Sequence, residues 1–393
     1  MDPILFFKRV RVLAGGQILE DISDYNRVHE MFSILRAKHS RDNEAAEGFG
    51  VFFDDDEFGK LDVMPDVGQD GVIDNLNKLK VTRGLTAYKF SGISQGQSQR
   101  VLFKPLLGIL NQPKFLPIRY MPLTIELELV NDMTEPVLSN FTTTTGADFS
   151  NTNTSVSWSI ENVEVKVDLI SLDNGLDNTY AQHLSSGKPL PINYNTFVSQ
   201  VQTISKEPKP SVNVTRALTR LKSVFVTLDK DLTDDKKAHR PGLKPWNLFW
   251  SPMHIENDDG TALQNHTLPQ YNSDGEFNFS IQIGSKLFPE YPIRSHSEAY
   301  YNLKKTLGVQ SSHVHSFDIN SKQYRDYRMV LGIDTEKVLD PGWTGLSIRA
   351  GDLMRIVFEY RRAEAARQAD RTHIVLHSDQ IVEIRDSGVV VFD

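Results

Sequence analysis

Apolar and polar side chains alternate over Leu123 to Val130, with one slip at the end, and over Phe277 to Ile283, the period of two that a half-buried strand requires. Each run adjoins a phrase that nearly recurs: Lys114-Phe115-Leu116-Pro117-Ile118-Arg119 before the first, and Lys286-Leu287-Phe288-Pro289 with Pro292-Ile293-Arg294 after the second. Two similar β units in tandem are the simplest reading of that echo. The same period predicts strands over Ile4 to Leu13, Gln17 to Ile22, Val156 to Leu172 and Leu221 to Leu228. It also predicts a closing series over Leu346 to Tyr360, Thr372 to Leu376, Ile381 to Ile384 and Val389 to Phe392. Gly15-Gly16 supplies a hairpin turn between the first two, because paired glycines reach positive φ without strain. Asp386-Ser387-Gly388 does the same before the last strand.

Helical spacing is confined to short stretches. Val28, Met31, Phe32 and Leu35 share one face behind Asp24, a capping residue type. Ser297 to Leu307 is the second helix, with Lys304 and Lys305 near its end and Gly308 as its stop. Residues 41–99 and 230–272 are rich in Gly, Pro, Asp and Asn, and 138–155 is a Ser/Thr/Asn tract, so all three are expected as loops. Many strands, long loops and few helices predict an all-β protein of two tandem jelly-roll β-sandwich domains. Lys206-Glu207-Pro208-Lys209-Pro210 has the composition of a stiff link. The expected division is an N-terminal domain 1–205, a linker 206–211 and a C-terminal domain 212–393.

Length changes this picture little: 393 residues suit two domains of ordinary size, each able to bury its own core. Composition excludes more. With no cysteine, the chain has no disulfide, zinc-thiolate site, iron–sulfur cluster or thiol nucleophile. The net charge of −8, with the signs interspersed, argues against a dedicated nucleic-acid arm, and Lys8, Arg9 and Arg11 are expected to decorate the outward face of a strand. No run approaches the roughly 18 apolar residues of a membrane helix, and Met1 to Phe7 lacks the features of a secretory leader, so synthesis in the cytosol is expected.

Chemical motifs are weak in context. Gly92-Ile93-Ser94-Gln95-Gly96 has the spacing of a nucleophile elbow, but Gln97 to Phe103 look like a loop entering a strand rather than the helix an elbow needs. His313 with His315, and His373 with His377, could contribute to a metal site if a carboxylate joined them; polar positions on a strand or loop are the simpler reading. Asp54 to Glu57 lacks calcium-loop spacing. The glycosylation sequons at Asn140, Asn213, Asn265 and Asn278 are expected to be coincidental. No catalytic, cofactor-binding or metal-binding residue, and no small-molecule substrate, is therefore expected. Trp246, Phe249 and Trp250 are open to two readings, an interface between subunits or a cover over one end of the second barrel.

Several phrases together resemble a known family. Val12 to Gln17 with Tyr25 to Val28, Gly108-Ile109-Leu110 through Pro117, Gly284 to Pro289, and Glu383 to Val389 are similar to double jelly-roll major capsid proteins of tailless icosahedral DNA viruses, in the polinton-like and adintovirus-like group of the virophage and adenovirus-hexon lineage. The resemblance implies a structural, non-enzymatic subunit that trimerises into pseudo-hexagonal capsomers tiling a shell around a DNA genome. It implies as partners further copies of the chain, neighbouring capsomers, penton and minor capsid proteins, and an internal membrane or the genome on the inner face, with residence in the virion. Two alternatives stay open: a glycan-binding or glycan-cleaving β-sandwich, and a single jelly-roll coat protein with a protruding domain.

Overall fold

The protein is described from a computed structural model, which places residues 3–37, 40, 47–49, 96–137, 157–231, 244–252, 277–308, 319, 324, 328–336, 345–349, 353–361 and 368–392. Ser94, His313, His315, the acidic run at 54–57, the polar tract at 138–155, Asn140 and Asn265 lie outside the described residues.

The chain opens with a short 3-10 turn, Pro3–Phe6, so the first predicted strand begins three residues late, at β1 (Phe7–Ala14). Gly15 and Gly16 turn it back at φ 56° and 82° into β2 (Gln17–Ser23). β3 (Leu123–Leu129) lies on the other side of β1, giving an antiparallel sheet ordered β2-β1-β3. Val10, Val12 and Ala14 point into the core, while the predicted basic cluster stays outside and is neutralised locally. Arg9 binds Asp21 with two hydrogen bonds of 2.7 and 2.6 Å, Arg11 pairs with Glu126 at 2.6 Å, and Lys8 pairs with Asp24.

The predicted helix forms as α1 (Tyr25–Ile34), burying Val28 and Met31. Asp24 does not cap it through its side chain: the residue sits in the left-handed region at φ 46°, and its carboxylate serves Lys8 instead. A second helix, α2 (Asn174–Ser185), was not legible in the apolar pattern because only Leu184 of it is buried; its signal is Asp173, whose side chain accepts from the Leu176 amide at 2.7 Å. α3 (His296–Thr306) matches expectation, capped by Ser295, buried through Ala299 and Leu303, and followed by Gly308 at φ 71°.

The second half of the chain supplies two larger sheets. One is ordered β5-β10-β7-β8, from β5 (Ser211–Val214), β7 (Phe277–Ile283), β8 (Lys286–Ile293) and β10 (Met354–Tyr360). The other contains β6 (Leu221–Asp229), β9 (Val330–Asp334), β11 (Arg371–Arg385) and β12 (Gly388–Phe392), ordered β12-β11-β6-β9. Two strands predicted on either side of 377–380 are one 15-residue strand, β11. Its polar middle, Ser378-Asp379-Gln380, continues the ladder because it faces an equally polar stretch of its neighbour.

Two further expectations are corrected. The repeated phrase is not repeated in conformation: Lys114 to Tyr120 is irregular and turns into β3, whereas Lys286 to Ile293 is itself β8. The terminal strand β12 is half-buried and pairs with Ile381–Arg385 as the hairpin return. The predicted strand over Val156 to Leu172 has no ladder among the described residues, and its aliphatic side chains are exposed.

Candidate functional site

The described residues of the two halves meet along one seam. The strand β4 (Leu190–Thr203) from the first half pairs antiparallel with β11 over 14 residues, from Leu190 opposite Ile384 to Thr203 opposite Arg371. The other edge of β11 is shared by β6 and β12. Backbone ladders are cooperative and directional, so this pairing fixes the register between halves more firmly than side-chain packing alone would. The proline-rich segment beside it is also held: Lys206 pairs with Asp370 at 2.5 Å, and the Pro208 and Pro210 carbonyls accept from Tyr360 and Phe358.

The middle of the seam is clamped by a carboxylate. Glu20 of β2 is 2% exposed and accepts from the Gly108 and Ile109 amides at 3.0 and 2.7 Å and from the Thr196 hydroxyl at 3.0 Å. It thereby binds β2, β4 and the helical turn Gly108–Asn111 to one another. Burial outweighs those donors and raises its pKa to about 7. Beside it, the Tyr194 hydroxyl donates to a carbonyl of β2, that of Leu19, and lies 2.9 Å from the Gln380 side chain.

Next to it, α1 lies on the face of the β4-β11-β6 sheet, over the part of β4 that follows Thr196. Phe32 packs on Phe197 and Phe225 at ring distances of 4.8 and 5.2 Å. Arg27, 3% exposed, crosses from α1 to donate to the Pro245 carbonyl at 2.6 Å, the Leu228 carbonyl at 3.2 Å and the Thr227 hydroxyl at 3.3 Å, with Phe249 under its guanidinium at 4.8 Å. Burial lowers even this guanidinium to about 10. Trp246, Phe249 and Trp250 are all buried here, Trp246 donating to the Glu135 carbonyl, so they cover this end of the molecule from within.

His373 and His377 lie on that same sheet face, four residues apart on β11. His373 Nε2 is 3.8 Å from Asp229, beyond hydrogen-bond reach, and His377 stacks on Phe197 with its Nδ1 3.1 Å from the Ser223 hydroxyl. They are not brought together as ligands, and among the described residues no three His, Asp or Glu side chains converge on a point. The recess between α1, His373 and Thr227 has room for about one water molecule. Of the sequons, Asn213 and Asn278 are strand residues, in β5 and β7.

Burial lowers both histidines to about 4; Arg27 adds to the effect on His373 against Asp229, and Lys222 adds to it on His377 against Glu336. Because the folded value lies below the unfolded 6.5, unfolding takes up protons between pH 6.5 and 4, and stability is lost as pH falls through that window. Each shift corresponds to about 3 kcal/mol before relaxation. Glu20 works in the opposite sense: its folded value lies above the unfolded 4.5, so its contribution improves as pH falls from 7 to 4.5. Two histidines against one carboxylate leave a net loss. Urea midpoints measured from pH 7 to 4 are expected to fall, and to fall less in the double variant His373→Gln, His377→Gln; equal pH slopes in the two proteins would contradict this assignment.

No protein-family model and no curated protein matches the chain. Solved structures do. A PBCV-1 virus capsid structure aligns with 99% of this chain and 84% of its own length, at TM-score 0.50 and 8% identity. The Faustovirus major capsid protein aligns with 97% of this chain and 72% of its own, at TM-score 0.50 and 9% identity. The fold is thus all-β and of the tandem jelly-roll kind, the architecture of double jelly-roll major capsid proteins.

Proposed function

We propose that the chain is a viral major capsid protein, with two jelly-roll domains, 1–205 and 212–393, joined by 206–211, and a structural rather than catalytic role. The observation that carries this reading is a likeness to capsid structures running through nearly the whole chain, both halves included. The seam supports it, since a shell subunit must transmit load between its halves, and an in-register strand pair with buried clamps along it resists shear. On this reading the chain forms a homotrimer whose six jelly rolls give a pseudo-hexagonal capsomer. Capsomers tile an icosahedral shell around DNA, meeting penton and minor proteins and, on the inner face, a membrane or the genome. Synthesis is in the host cytoplasm and residence in the virion.

Purified protein is expected to scatter as three chains of 44.5 kDa or as a larger assembly, and to give hexagonal outlines in negative stain. A monomer that persists at high concentration under every salt condition would defeat the proposal.

A further inference from the structure

The stretch from Val163 to Leu172 is held at both ends and bare between. At its start, Trp158 donates to the Met133 carbonyl at 2.8 Å and meets Phe6 edge-on at 4.6 Å; at its end, Asp173 caps α2. Between these anchors no backbone hydrogen bond joins it to a described residue. Val163, Val165, Val167 and Leu169 are 65, 67, 64 and 72% exposed, and the positions between them carry Glu164, Lys166 and Asp168. A strand-patterned segment with an apolar face, and with amides unpaired among the described residues, is a template for another strand.

The charges say which strand fits. An acid, a base and an acid at alternate positions make the segment complementary to itself when it runs antiparallel. Centring the pair on Val167 sets Lys166 opposite Asp168 twice, Val165 opposite Leu169 twice, and Val167 opposite its own copy, with Glu164 opposite Ile170 as the mismatch toward the ends. Centring it on Lys166 would set lysine against lysine and Glu164 against Asp168. Centring it on Val165 would draw in Asn162, whose φ of 54° takes the backbone out of a ladder. A shift by a single residue would set valines against charges.

We propose that residues 163–171 pair antiparallel with the same residues of a second copy of this chain, about a two-fold axis at Val167. The contact is isologous, so it closes on itself and cannot propagate as a fibre. Its place in a shell, joining two three-fold capsomers, rests on the capsid reading; the pairing itself does not.

The absence of native cysteine makes the test direct. Under mild oxidation, Val167→Cys is expected to form a disulfide-linked dimer rapidly. Val165→Cys and Leu169→Cys, each poorly linked alone, are expected to link to each other when mixed. Lys166→Asp in the Val167→Cys background is expected to cut dimer yield at least tenfold, and adding Asp168→Lys to restore it. Because the replaced side chains are exposed, unchanged circular dichroism confirms folding. A Val167→Cys protein that stays monomeric would overturn the pairing, as would amides at 163–171 protected from hydrogen exchange equally at all dilutions, the mark of cover by the chain itself. Neither result bears on trimers or shells, which light scattering and negative stain report separately.

Discussion

Gly108→Ala is expected to destabilise the protein by roughly 4 kcal/mol or more, a size reserved for a few mechanisms. A methyl group on Gly108 would lie 1.4 Å from the Asn195 carbonyl oxygen and 2.6 Å from its carbon, both backbone atoms of β4 that the 14-residue ladder holds in place. No rotamer relieves a Cβ, so the turn Gly108–Asn111 must leave β4. Its departure removes both amide donors from Glu20, leaving a buried carboxylate with the Thr196 hydroxyl as its remaining donor here, at about 1–3 kcal/mol or more for a charged group. It also uncovers Ile109, fully buried in the native chain, at a further 1.5–3 kcal/mol. Urea unfolding of the variant gives the figure directly; a loss below about 1 kcal/mol would show that the turn and β4 separate without consequence.

The sequence revealed the strands better than their arrangement. β1, β2, β3, β7 and α3 follow the apolar periods closely, because in each the apolar face is the more buried one, whereas β6 is buried over nearly its whole length and shows as the apolar run Val224-Phe225-Val226. The seam is not legible in the sequence for a physical reason: β4 carries Tyr194, Asn195 and Thr196 in its interior, and β11 carries Gln380, Asp379 and Ser378 opposite them, so the two polar runs pair with each other. Read singly, either run looks like a break. Glu20 was invisible likewise, since a lone acid in a strand signals a solvated face, and only the arrival of the Gly108 and Ile109 amides gives it a buried role. The aromatic group at 246–250 could be assigned only once its burial within the chain was known.

Arg27→Ala is expected to cost about 3 kcal/mol or more, because it takes this donor from the buried Pro245 and Leu228 carbonyls, at about 1–3 kcal/mol each. The guanidinium serves two carbonyls and a hydroxyl while covering Phe249, a planar set of contacts that neither an aliphatic chain nor an ammonium reproduces. Arg27→Lys should therefore recover part of the loss, not most of it. A second readout separates charge from packing. Arg27 is among the groups that hold His373 neutral, so its removal lets the histidine protonate nearer to 6.5 and flattens the acid-linked loss of stability. Asp229 remains bound to Arg371 at 2.9 Å in the variant, so its own titration is buffered against the change. The expected pair of results is a lower urea midpoint at pH 7 and a shallower decline toward pH 4 than in the parent protein. If Arg27→Ala matched the parent on both counts, α1 would be seated on the sheet by Phe32, Val28 and Met31 alone, and the buried guanidinium would be neutral to the joint.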